Sequence, residues 1–377
     1  MRIARRCLLG TDHAVRLERV FASVAFAVSR GRATTSRNTT MKAVAYKTPG
    51  SIDRDDSLQN ITLEKPTAEG RDLLVKVHAV SVNPVDVKVR SKTSPEGSEW
   101  RVLGFDAAGV VESVGPEVES FQPGDAVFYA GSIARPGTNS EFHLVDERIV
   151  GHKPSTLSDT EAAALPLTAI TAWEMLFDRL DVERPTPQGG DTILVVGGAG
   201  GVGSITIQLL RALTDMTIIA TASRPETQDW VRELGAHHAI NHRQPMAPQV
   251  KALGIGDPGF VFSTTHSDQH LEDIVELMAP QGRFGLIDDP PHLDVSKLKQ
   301  KALSLHWEFM FARSLFGTPD MDQQRKLLNE VASLVDAGKI RSTATETAGK
   351  INAANLKQVH AKIESNTARG KIVLEGF

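Results

Sequence analysis

The residues of this sequence with the clearest chemical capacity are glycines. Within VVGGAGGVG, Gly198, Gly200 and Gly203 have the spacing G-x-G-x-x-G, directly after an apolar run and before an apolar-faced helix. In such a loop the first glycine permits a tight turn, the second lets the backbone approach a pyrophosphate, and the third allows close helix–strand packing. Helix N-terminal N–H groups then hold the phosphates. The dinucleotide-binding residues predicted here are Gly198, Ala199, Gly200, Gly201, Val202 and Gly203; the alternative is a glycine-rich turn that serves packing only.

The end of the second strand indicates which dinucleotide binds. An NAD enzyme usually has Asp or Glu about 20 residues after the glycines, bonded to the ribose 2′-hydroxyl. Here ATASRPE ends the strand, and no acid precedes Ser223 and Arg224. Because an arginine can hold a phosphate through two parallel hydrogen bonds, this pair predicts NADPH. The alternatives are that Ser223 and Glu226 only form an S-x-x-E capping box, and that Arg224 is a solvated surface charge.

A parallel sheet is needed to position these residues, and the middle of the chain has its pattern. From about Thr168 to Arg313, short apolar runs alternate with helical segments. Repeated βα units with near-continuous apolar strands and right-handed crossovers predict a doubly wound Rossmann domain, covered on both faces. Strands are expected in TILVVGG (192–198), TIIATAS (217–223), HAIN, GFVFSTT and RFGLID, and helices at 201–214, 225–235 and 267–279.

The segments on either side differ from this pattern. From Met41 to about Leu165 the chain has short β-like runs separated by Gly and Pro, which predicts a compact all-β unit. A helix near 321–338 and a final strand in GKIVLEGF follow the middle region, and this short tail is expected to complete the first unit. The predicted domains are therefore 41–167, 168–313 and 314–377.

Length and composition narrow the possibilities further. At 377 residues the chain is long enough for two or three domains. Its net charge of −4 argues against a general nucleic-acid binder, and no stretch after residue 40 is apolar enough to cross a membrane. Cys7 is the only cysteine, which excludes an intramolecular disulfide and a four-thiolate metal site.

The first forty residues have a composition of their own. They contain eight Arg, no Lys, and only Asp12 and Glu18 as acids. An Arg-rich, Ser-rich, acid-poor start is typical of a mitochondrial transit peptide; the other interpretation is that Met41 is the true first residue. A secretory signal is disfavoured by Asp12 and Glu18. Residues 1–40 are expected to be disordered or cleaved, and the protein to be cytoplasmic, or mitochondrial if they are a transit peptide.

Several motifs together resemble the medium-chain dehydrogenase/reductase superfamily. The chain is most similar to its quinone oxidoreductase branch, among the proteins labelled zinc-type alcohol dehydrogenase-like. The resemblance covers about residues 41–377. It is carried by the glycine loop and by VSVNPVDVKVR (80–90), GFDAAGVVESVG (104–115), FQPGDAVF (121–128), AAALPLTAITAW (162–173) and the terminal ARGKIVLEG.

The resemblance implies an architecture and an assembly. A GroES-like catalytic domain would pack beside the Rossmann domain, giving an α/β fold with the cofactor in the cleft between them. It also implies a homodimer or a dimer-based oligomer.

The ligands that zinc-dependent members use are missing. Their first ligand is a cysteine at the position of Asn83, and their Gly-His-Glu motif is Gly104–Phe105–Asp106 here. The third ligand region, near Leu165 to Thr168, has no Cys or His. An amide is a poor ligand for zinc and a phenyl ring is none, so no metal is predicted.

Without zinc, the resemblance implies reduction of an activated acceptor, a quinone or an α,β-unsaturated carbonyl compound. Such an acceptor takes a hydride with its charge spread over a conjugated system, so orientation and a few hydrogen-bond donors suffice. Asn83 is the predicted donor, with anchoring of the NPVD turn as the alternative. Tyr46 and HWEFMF (306–311) are predicted to wall the pocket, with core packing as the alternative.

The same resemblance implies further contacts with the cofactor. Thr168 would lie near the nicotinamide or the phosphates. Ile287, Asp288 and the segment Phe309–Phe311 would line the nicotinamide side, although LIDDPP lacks the glycine common after that strand. Arg369, Gly370 and Lys371 would approach from the tail.

Two other function classes stay open: a nucleotide-binding protein with a structural or regulatory duty and negligible turnover, and a zinc alcohol dehydrogenase with unexpected ligands. Other polar residues are interpreted as structural. These are the histidines His143, His237, His238 and His242, and the turn or hydrogen-bond anchors Asp86, Asp106 and Asp125.

Overall fold

A computed structural model describes residues 40–95 and 99–377. The expectations for the leader and for Cys7 therefore lie outside the described residues, except for Thr40, which begins the first strand. Among the described helices, none is long and apolar enough to cross a membrane.

The strands account for most of the framework. In chain order they are β1 (Thr40–Tyr46), β2 (Gln59–Glu64), β3 (Asp72–Ser81), β4 (Arg101–Val102), β5 (Ala107–Val114), β6 (Ala126–Tyr129), β7 (Phe142–Asp146), β8 (Val150–His152), β9 (Thr192–Val196), β10 (Thr217–Thr221), β11 (His238–Ile240), β12 (Phe260–Ser263), β13 (Arg283–Leu286), β14 (Ser304–Trp307), β15 (Ala344–Thr347) and β16 (Lys371–Glu375).

The helices lie mostly in the second half of the chain. They are α1 (Pro84–Lys92), α2 (Asp159–Ala163), α3 (Pro166–Trp173), α4 (Gly201–Leu213), α5 (Pro225–Glu233), α6 (Met246–Ala252), α7 (Ser267–Leu277), α8 (Ala312–Phe316), α9 (Gln323–Asp336) and α10 (Ala353–Glu364), with 3-10 turns at Glu147–Ile149 and Val295–Lys301 and a π-type turn at Glu174–Arg179.

The first part of the chain forms two sheets. The larger has the order β15-β16-β3-β5-β6-β8, with β7 also paired to β3, and the smaller is β2-β1-β4. Strand β16 comes from the end of the chain and pairs antiparallel with β3, where Val373 lies opposite Ser81. The tail therefore completes the β-rich unit. The boundaries at 167/168 and 313/314 stay predictions.

The middle of the chain forms a separate six-stranded sheet, in which every pair is parallel. Its order is β11-β10-β9-β12-β13-β14. All five residues of β9 are buried, as expected for a strand covered on both faces. The predicted α/β fold, a GroES-like unit with a doubly wound Rossmann sheet, is confirmed. In this region α6 and the edge strand β14 were not predicted. The expectation of an all-β first unit was wrong in part, because helices α1 and α2 lie within it.

The topology brings the candidate residues to one edge of this sheet. The glycine loop follows β9, Ser223 and Arg224 follow β10, and Ile287 follows β13. Carboxyl ends of parallel strands meet at the same edge, which is where ligands bind in open α/β sheets.

Candidate active site

The glycine loop joins β9 to α4 and owes its shape to backbone freedom at one position. Gly197 has φ +79°, a conformation that favours glycine. Gly198 lies in the tight turn, as predicted, because the backbone N–H of Gly200 donates to the carbonyl oxygen of Gly197 at 3.1 Å and closes the turn around it. Gly198 is needed for a different reason, because a Cβ there would lie 2.9 Å from the Cβ of Ala220 on the neighbouring strand.

The start of α4 packs closely against the preceding turn, whereas the N–H groups of its first turn have no side-chain partner in the described part of the chain. A Cβ on Gly203 would lie 2.6 Å from the Cα of Gly198 and would also collide with the carbonyl oxygen of Gly197, in line with close helix–strand packing. Gly200 is the N-cap, and no side chain among the described residues caps the helix. The N–H groups of the first turn are therefore available to an anion.

The tail of the chain lies on this loop. The backbone N–H of Gly370 donates to the carbonyl oxygen of Ala199 at 2.9 Å. A Cβ on Gly201 would lie 2.8 Å from Cδ of Lys371 and 3.2 Å from Cγ2 of Thr168. Thr168 and Lys371, both predicted near the cofactor, are thus brought together at the first turn of α4.

Arg224 and its neighbours lie beyond the end of β10. The Arg224 Nε donates to Glu226 Oε1 at 2.6 Å, and its Nη2 donates to the carbonyl oxygen of Thr367 at 3.4 Å. The predicted capping box of Ser223 with Glu226 is wrong. Pro225 is the first helical residue, so Arg224 is the N-cap, and its backbone N–H donates to the hydroxyl of Thr227 at 3.1 Å. The Ser223 hydroxyl is thereby released from a capping role.

A second guanidinium lies close by. Arg369 stands over the ring of Trp230 on α5, with its Cζ 4.9 Å from the ring centroid. Trp230 is fixed by its indole N–H, which donates to Ser204 Oγ at 2.8 Å. Two positive side chains therefore lie by α5: Arg224 at its N-cap, and Arg369 of the tail, which stacks on Trp230 and directly precedes Gly370 on the glycine loop.

A buried polar cluster faces the loop from the other side. The Nζ of Lys371 donates to the carbonyl oxygen of Val82 at 3.0 Å, to Asp106 Oδ2 at 3.2 Å, and to Asn83 Oδ1. The side chains of Asn83, Asp106 and Lys371 are 1%, 0% and 4% exposed. Lys371 was predicted at the cofactor and Asn83 at the acceptor, but their direct contact was not predicted.

Asp106 is fully satisfied within this cluster. Its Oδ2 accepts from Ser81 Oγ at 2.8 Å and from Asn83 Nδ2 at 2.7 Å, while Oδ1 accepts from the backbone N–H of Leu167 at 2.8 Å. Burial raises the pKa of Asp106 and lowers the pKa of Lys371, and in each case the opposite charge of the partner counters the shift. Because both carboxylate oxygens accept hydrogen bonds, the arrangement favours the ion pair.

Asp86 stabilises the NPVD turn that begins at Asn83. Its carboxylate accepts from the backbone N–H of Asn83 at 2.8 Å and of Gly104 at 2.9 Å. Burial raises its pKa to about 7. Asp86 therefore joins the NPVD turn to the Gly104–Phe105–Asp106 segment, as expected for a hydrogen-bond anchor.

Comparison with known proteins identifies the family. Residues 69–155 match the alcohol dehydrogenase GroES-like domain, and residues 234–374 match the zinc-binding dehydrogenase domain. A zinc-type alcohol dehydrogenase-like protein of Staphylococcus aureus is 38% identical over 336 residues, covering 89% of this chain and 99% of its own length. The chain belongs to the medium-chain dehydrogenase/reductase superfamily. It is thus an oxidoreductase by family, as the sequence predicted.

Other members of the superfamily extend the comparison. The human mitochondrial NAD(P)H oxidoreductase RTN4IP1 is 31% identical over 333 residues, covering 80% of this chain and 81% of that protein. A crystal structure from Rhizobium etli, provisionally named a zinc-dependent alcohol dehydrogenase, has 62% identity and a TM-score of 0.88, covering 90% of this chain and 98% of that one. The Escherichia coli quinone oxidoreductase complexed with NADPH shares the fold, with 22% identity and a TM-score of 0.74 over 89% of this chain and 99% of that one.

Some names within the superfamily imply a zinc ion. The side chains at the corresponding positions of this chain do not form a zinc-binding site. Asn83 Oδ1 and Asp106 Oδ2 already accept from Lys371, and Phe105 has no donor atom. In residues 40–95 and 99–377, no group of three or more His, Cys, Asp or Glu side chains is arranged for a metal. A catalytic zinc needs three such ligands and a water.

Tyr46 does not wall a pocket in this superfamily member. Its side chain is fully buried, and its hydroxyl donates to the carbonyl oxygens of Val89 at 3.1 Å and Thr93 at 2.7 Å. Both carbonyls lie at the C-terminal end of α1, and the Val89 carbonyl also accepts from the backbone N–H of Thr93 at 2.9 Å. The Tyr46 hydroxyl therefore adds a side-chain hydrogen bond to the end of this helix. The alternative interpretation, core packing, describes Tyr46 correctly.

The residues that follow β14 contact two different parts of the molecule. Phe105 and Phe311 pack edge to face at 5.3 Å between ring centroids, and Phe311 meets Phe309 in the same way at 5.5 Å. Phe105 and Phe311 are buried and Phe309 is 48% exposed, so this row of rings runs from the core to the surface. Glu308 points the other way and accepts from Arg179 Nε at 2.8 Å, and burial raises its pKa to about 9.

The other predicted residues have clear local roles. Ile287 follows β13 and is half-buried against the main core. Asp288 caps α7, accepting from the backbone N–H of Ser267 at 2.8 Å, which accounts for it without a cofactor. Among the histidines, His237 accepts from the N–H of Ile218 at 2.9 Å, and His242 contacts Thr221 Oγ1 at 3.1 Å.

Proposed function

We propose that this chain is an NADPH-dependent reductase that transfers a hydride to a quinone or an α,β-unsaturated carbonyl acceptor without zinc. The observation that carries the proposal is the contact of Lys371 with both sides of the cleft. Its stem lies against Gly201 at the uncapped start of α4, and its ammonium bonds Asn83 and Asp106. The dinucleotide loop and the catalytic-domain turn are thereby adjacent, and the described part of the chain places no metal-binding donor set between them.

The residues of the loop fit a dinucleotide. The N–H groups of the first turn of α4 would hold the pyrophosphate, with Gly198 to Gly203 allowing its close approach. Thr168, Ile287 and the tail residues Arg369 to Lys371 would bound the remainder of the cofactor. When bound, the cofactor supplies the hydride from its nicotinamide C4.

The preference for NADPH over NADH rests on Arg224, with Ser223 and Arg369 in support. No carboxylate ends β10 to accept from a ribose 2′-hydroxyl, and two guanidiniums lie near the end of that strand. A 2′-phosphate would compete with Glu226 for Arg224 and would be favoured by its greater charge.

The choice of acceptor rests on the aromatic row. Phe309, which is 48% exposed, offers an apolar face to a flat conjugated molecule, and the buried rings of Phe311 and Phe105 pack behind it and exclude water. Asn83 supplies polarity at the inner end; its amide nitrogen gives one N–H to Asp106, which leaves the second for a carbonyl oxygen. A conjugated acceptor delocalises the incoming charge, so it needs less stabilisation than an alkoxide would.

Relatives support the same reaction class. The human relative is named an NAD(P)H oxidoreductase, and a quinone oxidoreductase shares the fold. The experiment is NADPH oxidation by the full chain, followed by absorbance, with and without an ortho-quinone or an enone, in the presence of a metal chelator.

Three outcomes distinguish the functions considered. Turnover that needs the acceptor and survives the chelator supports the reductase. NADPH binding without turnover on either acceptor would instead favour a nucleotide-binding protein. Stoichiometric zinc with activity lost to the chelator would indicate an alcohol dehydrogenase with unexpected ligands.

We also propose that the chain forms a homodimer. Strand β14 ends the parallel sheet, and Trp307 upon it and Phe316 nearby are 51% and 76% exposed. An exposed sheet edge with large apolar side chains is a surface that a second copy can cover. Sedimentation of wild type and Trp307→Glu tests this: the wild type should be dimeric and the variant shifted to monomer, and a monomeric wild type would refute it.

For location, the proposal is the cytoplasm, or the mitochondrion if residues 1–40 are a transit peptide. The human relative is named as mitochondrial. A fluorescent protein carrying residues 1–40 at its N-terminus distinguishes the two by import or its absence.

A further inference from the structure

We infer that the ammonium of Lys371 holds the place that a metal ion holds in zinc-dependent members of the superfamily, so that an internal cation organises this site. The inference concerns the same site as the proposed function and rests on that function for its catalytic meaning. The position and hydrogen bonds of the ammonium can be tested whether or not the protein shows enzymatic activity.

The first observation is the position of the ammonium. By resemblance, the metal-ligand positions are Asn83 and the Gly104–Phe105–Asp106 motif. The Lys371 Nζ lies within hydrogen-bond distance of Asn83 Oδ1 and of Asp106 Oδ2, between these two segments. A cation thus contacts both motifs, but it is covalently part of the chain.

The second observation is that the ammonium is fully coordinated. It has three N–H donors, and three oxygens accept them: those of Val82, Asn83 and Asp106. Among the described lysines, Lys371 alone is buried. Nothing is left over for a metal, because the two side-chain oxygens that could bind it already bind nitrogen.

The third observation explains how the rest of the metal site has been filled. Phe105 stands where a histidine ligand would be, and its ring packs edge to face on Phe311. The neighbouring Asp106 keeps a negative charge that must be balanced when buried, and Lys371 balances it at 3.2 Å. The charge that a metal would bring is therefore supplied by a side chain from β16.

The test exchanges the internal cation for a metal. In the full chain, Asn83→Cys with Phe105→His restores a thiolate and an imidazole beside Asp106, and Lys371→Met then removes the competing charge. The triple variant should bind one equivalent of zinc, at least about tenfold more tightly than the double variant that keeps Lys371, because like charges repel at this distance. Zinc uptake is measured by equilibrium dialysis with elemental analysis.

Cobalt provides a signature of the site itself. Co²⁺ bound by the triple variant should show a thiolate-to-metal charge-transfer band, and the double variant should not at the same concentration. Lys339→Met in the double variant is the matched control, because Lys339 is exposed, and it should leave zinc affinity unchanged. A folded triple variant that binds zinc no better than the double variant would overturn the inference.

The wild-type chain gives a measurement that needs no folded variant. After treatment with chelator and an offer of zinc, it should take up no stoichiometric metal. Its Lys-¹⁵Nζ spectrum should contain one ammonium resonance with protons that exchange slowly with water. One equivalent of zinc that is lost on Asp106→Asn, or the absence of any protected ammonium, would contradict the inference.

These readouts separate the inference from the proposed function. If the protein takes up no zinc and has a protected ammonium but does not oxidise NADPH, the inference about Lys371 stands and the proposed reductase function is refuted. If the protein reduces a quinone but binds zinc through Asp106, the proposed oxidoreductase function stands and the inference about Lys371 is refuted.

Discussion

The glycine loop and the Lys371 cluster lie against each other and are built in opposite ways. The loop is one continuous segment, 197–203, whose function depends on N–H groups that no side chain satisfies. The cluster consists of side chains separated by up to 288 residues in sequence, and it is held by hydrogen bonds that satisfy one another. The loop is ready to bind a charge from outside, whereas the cluster already contains its counter-charge.

This difference predicts how each region responds to change. A backbone site should tolerate substitution except where a Cβ collides with the main chain. A closed charge cluster should be sensitive to the loss of any member, since each loss leaves a buried group without its partner.

The largest effect is expected from Lys371→Met. It leaves Asp106 buried and unpaired, so the free energy of unfolding should fall by about 3–5 kcal/mol. Urea denaturation measures this. Lys371→Met with Asp106→Asn should recover part of the loss, and the exposed Lys339→Met should cost almost nothing. If the double variant is no more stable than the single one, the cluster is not held by charge pairing.

The pH dependence of stability is the next test of the cluster. Burial raises the pKa of Asp86 to about 7 from its ordinary value of 3.8, so the folded chain holds a proton that the unfolded chain has released. Its contribution to stability is complete below about pH 4 and is lost as pH rises through 7, at up to about 1.4 kcal/mol per pH unit.

The measurement is a series of urea titrations between pH 4 and 8. In Asp86→Asn the free energy of unfolding should no longer fall with rising pH on account of this proton. The exposed Asp215→Asn variant is the control and should follow the wild-type curve. Parallel curves for wild type and Asp86→Asn would show that Asp86 is ionised throughout.

For the loop, two alanine substitutions should separate folding from binding. Gly203→Ala drives a methyl group into the backbone of the turn and should cost about 1–3 kcal/mol of stability. At Gly200 the nearest heavy atom to a Cβ is 3.5 Å away, so Gly200→Ala should fold normally. Its methyl group should nevertheless weaken NADPH binding, because it stands where the pyrophosphate must approach. Equal effects of both substitutions on stability would contradict the described packing.

The smallest effect is expected from Arg224→Ala. Loss of one charged contact to the 2′-phosphate should weaken NADPH binding about tenfold, or about 1.4 kcal/mol, and leave NADH binding unchanged. Fluorescence titration with both cofactors measures it. Arg232→Ala is the control, since Arg232 lies on the same helix and contacts only Asp229, at 3.3 Å. An unchanged NADPH/NADH preference would refute the assignment of Arg224.

The sequence predicted the loop well because its signal is local. A run of glycines between an apolar strand and a helix specifies the turn, in which Gly197, one residue before the G-x-G-x-x-G motif, has the positive φ of +79°. The cap of α5 was misassigned although a signal was present: Pro225 as first helical residue makes Arg224 the N-cap.

The cluster was not predicted because its members lie far apart in the chain. Asn83, Asp106 and Lys371 were each considered, but their contacts depend on β16 pairing with β3. One signal was available. A lysine at the start of the apolar strand GKIVLEG is buried only if a carboxylate pairs with it, and Asp106 was the candidate. Tyr46 had no such signal, since its partners are backbone carbonyls.

The pairing of β16 with β3 also has a consequence during protein synthesis. Chains generally begin to fold from the N-terminus while still attached to the ribosome. The β-rich unit would then form around Asp106 long before Lys371 has been translated, and the glycine loop would lack the cover of Gly370. A chain that lacks β16 would carry a nearly complete fold with an uncompensated buried carboxylate, so the charge balance of the first unit depends on the last strand described.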